Sequence, residues 1–197
     1  MLDDTQKNIE TNDRCRCNDG PINDACDELV AVNPVTRRQL RALAFHYIYA
    51  VDRSDYQEDL ADVSARFLEG FSLKPSDNEF SFKLAQGVID NRVRYGKVIE
   101  PLLEHWRFDR LGCCTQLVLY MALWEFEQPE AVASIVINEA VELAKAFAER
   151  DAYRLVNGIL DQVKLLYPHS VANDAATSNH NPSSTSSINS SSDISID

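Results

Sequence analysis

The stretch from Gly112 to Phe126, GCCTQLVLYMALWEF, is apolar on nearly every side of a helical wheel. A helix without a polar face has to be enclosed, because water would otherwise meet apolar surface all round. It is too short to span a bilayer, which needs about 20 apolar residues. The enclosing layer must therefore come from the rest of the chain.

The flanking sequence supplies helices for that layer. Leu40, Leu43, Ala44, Tyr47, Ile48 and Val51 recur at helical spacing and predict a first helix, with Asn33 as N-cap and Pro34 at its first position. SDYQ at Ser54–Gln57 reads as a capping box opening a second helix, with Leu60, Val63, Phe67 and Phe71 on one face. SDNE at Ser76–Glu79 opens a third through Phe80, Leu84, Val88 and Tyr95. Pro101 interrupts the next apolar set, Val98 to Trp106, and predicts a short helix or a kink. Two amphipathic helices follow, one on Ile137, Ala140, Val141, Ala144 and Phe147, the other on Val156, Ile159, Leu160, Val163 and Leu166. No run alternates with β periodicity, so the expected fold is an all-α compact bundle of about seven helices.

Charge separates this bundle from its ends. The formal charge is −12, yet Pro34 to Pro168 holds 16 Lys+Arg against 20 Asp+Glu, so much of the acidity lies outside the expected domain at 34–168. Residues 1–33 read as a flexible acidic extension and 169–197, rich in Ser and Asn, as a disordered tail. The acidic start MLDDTQKNIE and the lack of any long apolar run predict a soluble, cytoplasmic protein.

Catalytic chemistry has little to build on. Cys15, Cys17, Cys26, Cys113 and Cys114 contain no CxxC pair, and no Glu-x-x-His motif supports a carboxylate-bridged metal. No phosphate-binding glycine loop or nucleophile elbow occurs. No enzyme activity, metal or cofactor is expected.

The basic segment TRRQLRALAFHYIYA is more informative. Arg37, Arg38 and Arg41 crowd a helix N-terminus, where the dipole favours acids instead. Guanidinium groups pair bidentately with phosphate, so a nucleic-acid partner would account for them, and an ordinary solvated basic turn would too. Tyr49, off the apolar stripe that holds Tyr47, could stack on an unpaired base.

These residues fall into a familiar order. The arginine-rich first helix is followed by WRFDRL at 106–111, ALWE at 122–125, INEAVELAKAF at 137–147 and VNGILD at 156–161. Together they resemble the NusB family of bacterial transcription antitermination factors across residues 34–167. The resemblance implies two packed three-helix subbundles and binding of single-stranded boxA RNA from ribosomal RNA operon transcripts. It also implies work with the ribosomal protein NusE inside the RNA polymerase antitermination complex. On this basis Arg37, Arg38, Arg41 and Arg154 are the candidate RNA contacts, joined by Tyr49. The resemblance associates partner docking with the central helix, where Thr115, Gln116 and Tyr120 replace the family's usual charges. That replacement leaves open a second reading, a protein–protein module with weakened RNA recognition. A bundle with exposed partner faces is also compatible with a homodimer.

The polar residues of the last two motifs read as architecture. Asn138, near a helix start, is expected to satisfy free backbone donors. Gly158 is expected to permit close helix approach, with Asn157 hydrogen-bonding across the contact.

Overall fold

The computed structural model describes residues 36–70, 75–103 and 107–178, the side chains at 75–77 and 178 excepted. Within them run seven α-helices and no strand: α1 (Arg37–Arg53), α2 (Leu60–Gly70), α3 (Pro75–Ile99), α4 (Cys113–Phe126), α5 (Ala133–Phe147), α6 (Ala152–Val163) and α7 (Pro168–Ser178). The expected Asn33–Pro34 start, Phe71, the Ser76 cap, Trp106 and the terminal segments 1–33 and 179–197 lie outside the described residues or side chains.

Thr36 caps α1. Its hydroxyl accepts the Gln39 N–H at 3.2 Å, and the Gln39 side chain accepts the Thr36 N–H at 2.8 Å, so two free donors are satisfied reciprocally. Ser54 does not open α2 as SDYQ suggested; it caps the C-terminus of α1. Asp55 and Tyr56 take left-handed backbone angles, φ 50° and 59°, which cannot form a first helical turn. The start of α2 is held instead by Asp59, whose carboxylate accepts the Ala61 N–H at 2.7 Å. Pro101 falls within a 3-10 turn, Glu100–Leu102, that ends the long α3.

The helices form two groups. α1, α2 and α3 pack on one another, as do α4, α5 and α6, while α4 also contacts α1 and α3. Being apolar all round, α4 lies at the centre of this arrangement: Leu117, Leu119, Met121, Leu123 and Phe126 are fully buried with Tyr47, Ile48, Leu84 and Leu160. The close helix approach occurs at Gly87 on α3, where an added Cβ would lie 1.9 Å from Trp124 Nε1. Gly158 instead faces open space, and Asn157 bonds Asp161 on its own helix at 3.2 Å. Asn138 lies exposed within α5, whose N-cap is Val132, so it caps nothing.

α7 departs from the disorder expected from residue 169 onward. It starts at Pro168, whose fixed φ suits a first helical position. Ser170 is buried and donates to the Tyr167 carbonyl at 2.8 Å. The Asn173 amide donates to the Pro129 and Ala131 carbonyls at 3.0 and 2.8 Å, tying α7 to the connection between α4 and α5.

His46, half-buried on α1, lies among the rings of Phe45, Phe67 and Phe147, and burial pulls its pKa below the ordinary value. The unfolded chain therefore binds this proton more readily, so the stabilising contribution is complete above the unfolded pKa of about 6.5 and shrinks as pH falls below it. Thermal melts between pH 7.5 and 5.5 should show a decline that is shallower in His46→Leu. Urea unfolding should also separate the two glycines. Gly158→Ala is expected to stabilise by up to about 1 kcal/mol, as in an open helix interior. Gly87→Ala is expected to destabilise by about 1–3 kcal/mol, the range for overpacking.

Candidate nucleic-acid interface

The first turn of α1 holds no acidic residue, so its positive end carries Arg37 and Arg38 uncompensated by local sequence. Compensation arrives from other helices. Arg41 is buried, its side chain 8% exposed, and its Nε and Nη2 donate to Glu125 of α4 at 2.8 and 2.7 Å. Its Nη1 reaches Glu139 of α5 at 3.4 Å. Burial works against the Arg41 charge, but the hydrogen bond and charge of Glu125, with the charge of Glu139, outweigh it and raise the guanidinium pKa. Arg38, 51% exposed, places Nη2 and Nε on the two oxygens of Glu139 at 2.9 and 3.3 Å. Two arginines and two carboxylates thus form one network joining α1, α4 and α5.

Arg37 lies outside that network. It is exposed, and its guanidinium carbon stands 3.4 Å from the centre of the Phe80 ring. A cleft of about 150 Å³ beside it is lined by Arg37, Arg41, Phe80, Lys83, Trp124 and Ile135, among others. Lys83 is exposed there and adds a second cation near Arg37. Nothing in its local sequence marks Lys83, because α3 brings it to α1 only through tertiary packing.

The other proposed RNA contacts are dispersed. Tyr49 is half-buried and stacks on Phe45, with ring centres 6.2 Å apart. It sits about 18 Å along the axis of α1 from Arg37 at 1.5 Å per residue. Arg154 is exposed on the first turn of α6, with Nε 3.2 Å from the Tyr153 hydroxyl. Charged groups of α5 lie between Arg38 and Arg154. The pKa of Glu142 is lowered by its hydrogen bond to Lys145 at 2.7 Å, with Arg38 contributing charge, and Lys145 Nζ is 5.6 Å from the Tyr153 ring centre. Lys145 is thus a cation on the path from α1 to α6.

The expected partner face on α4 is turned mostly inward, because α4 is the enclosed helix. Thr115 is 1% exposed, and its hydroxyl donates to Glu149 at 2.5 Å. Gly112 leaves room for that carboxylate: a Cβ there would lie 1.3 Å from Glu149 Oε1. Gln116 is half-buried and donates to the Leu111 carbonyl at 2.9 Å. Tyr120 is 7% exposed, and burial pushes its phenol up to about 12. Thr115 and Tyr120 are therefore largely enclosed by the fold. Gln116 and Tyr120 do edge a cleft of about 220 Å³ beside Arg92 and the exposed Val93. Among the described residues no group of three His, Cys, Asp or Glu side chains could hold a metal ion, and no helix is long and apolar enough to cross a membrane.

Comparison with known proteins gives a consistent result. A NusB family model matches residues 38–164. Transcription antitermination protein NusB of Helicobacter hepaticus is 35% identical over 127 residues, covering 64% of this chain and 80% of that protein. The protein of the same name from Serratia proteamaculans is 35% identical over 133 residues, covering 67% of this chain and 94% of its own. A solved structure of T. maritima NusB aligns with a TM-score of 0.56 at 27% identity, over 68% of this chain and 92% of that one.

The geometry separates arginines that look alike in sequence. Arg41→Ala is expected to cost about 3 kcal/mol in urea unfolding, the scale for breaking a buried pair and leaving a carboxylate behind. Arg37→Ala should stay within about 1 kcal/mol, the scale of an exposed cation–π contact. Equal losses would contradict the assignment.

Proposed function

The chain belongs to the NusB family, and we propose that it is a transcription antitermination factor that binds boxA-type single-stranded RNA together with NusE. The observation that carries this reading is the exposed positive end of α1, Arg37 and Arg38 with Lys83 nearby, at the edge of the family match. Arginine and lysine contacts to phosphate would position the RNA, and Tyr49 and Arg154 would extend the surface along α1 and onto α6. Arg41 acts by holding α1 in place. The complex would act in the cytoplasm on RNA polymerase transcribing ribosomal RNA operons. No group described above calls for a reaction at this surface, and the function proposed is binding.

One observation favours a second reading, a protein–protein module with weakened RNA recognition. Arg38 and Arg41 already engage Glu139 and Glu125, which leaves fewer cations for phosphate than the sequence suggests. Filter binding of boxA-type RNA with NusE, across a salt series, separates the two. The RNA reading expects Arg37→Gln to weaken binding and to flatten the slope of log affinity against log salt by about 0.7, one single-strand phosphate contact. An unchanged slope and affinity would favour the protein module.

A further inference from the structure

Glu139 stands between the two functions of the arginine cluster. It is 13% exposed and lies inside Arg38, which reaches outward to solvent. Its two oxygens accept the Arg38 fork at 2.9 and 3.3 Å, the same two-point arrangement that guanidinium offers a phosphate. Its contact with Arg41 is longer, 3.4 Å, and Arg41 keeps its shorter bonds to Glu125 at 2.7 and 2.8 Å without it. The architecture therefore relies mainly on Glu125, and Glu139 is the member of the network that can change without unpinning α1.

We propose that Glu139 is an internal competitor for RNA phosphate, occupying the Arg38 fork in the free protein and setting how tightly the chain holds RNA. This rests on the RNA-binding reading above. Arg38, Arg41, Glu125 and Glu139 together carry no net charge, so a phosphate that takes the Arg38 fork has to displace the Glu139 carboxylate already on it. Two effects oppose each other when Glu139 is neutralised. Arg38 loses a tether that orders it, and its fork loses the carboxylate that competes with phosphate. Arg38 is half exposed, and a surface tether of that kind contributes little. A phosphate that takes the Arg38 fork no longer has to displace a carboxylate from it, and this gain, which runs through Arg38, decides the sign.

The experiment uses the full-length chain, NusE and boxA-type single-stranded RNA. Glu139→Gln is expected to bind about fivefold tighter, the factor one unit charge exerts on another through water at contact distance. Its salt slope should steepen by about 0.7 as Arg38 takes up one phosphate contact. Both changes should vanish in an Arg38→Gln background, a dependence that a general loss of rigidity would not produce. Glu139→Asp, which retracts the carboxylate from the Arg38 fork, provides a second variant if Glu139→Gln folds poorly, and a smaller gain is expected. Binding that is unchanged or weaker in a folded Glu139 variant, or a gain that survives without Arg38, overturns the proposal. A parent chain that binds no RNA overturns the functional reading itself, and the competitor role with it.

Discussion

The pairing of Arg41 with Glu125 is the contact on which the arrangement of the site depends. It links the first helix of one three-helix group to the enclosed helix of the other, in surroundings where an unpaired charge would be costly. Glu139 brings α5 to the same point and passes the constraint outward to Arg38. The direction of α1, and hence the place where its positive end meets solvent, follows from that junction. Apolar packing around α4 supplies most of the cohesion, but such packing is non-directional, and the polar junction specifies one relative position of α1, α4 and α5.

The same junction separates the arginines by role. Arg41 is committed to the interior, Arg38 is shared between Glu139 and solvent, and Arg37 rests on Phe80 with its charge exposed. A chain with net charge −12 can still present cations here, because Glu125 is turned inward toward Arg41 while Arg37 and Lys83 stay exposed beside the cleft, which the exposed Glu130 also lines. Phosphate recognition at this end would then depend on which cations remain available, more than on how many the sequence contains.

Much of the fold was legible because helical periodicity and enclosure are local properties. The all-apolar α4 and the amphipathic stripes of α5 and α6 needed no tertiary information. Local sequence is silent where distant contacts decide local geometry. Asp55 and Tyr56 turn left-handed in a loop where Tyr56 bonds Asp52 at 2.9 Å and lies 4.0 Å under Arg92, so SDYQ could not be recognised as a helix end. The Asn173 amide found carbonyl partners 42 and 44 residues earlier, which composition alone reads as a solvated tail. Gly87 and Gly158 both lie in helices, and only the packing of Trp124 tells them apart. The candidate site was legible as a basic turn, but Arg41 shares that turn with Arg37. What buries it comes from residues 84 and 98 positions further along the chain.

NMR of the arginine Nε–H groups during titration with boxA-type RNA and NusE distinguishes the structural role proposed for Arg41 from the RNA-facing roles proposed for Arg37 and Arg38. The Arg37 and Arg38 signals should shift as RNA binds, while the Arg41 signal stays in place and remains the slowest of the three to exchange with solvent. An Arg41 signal that moves as far as that of Arg37, or exchanges as fast, would contradict this division of roles.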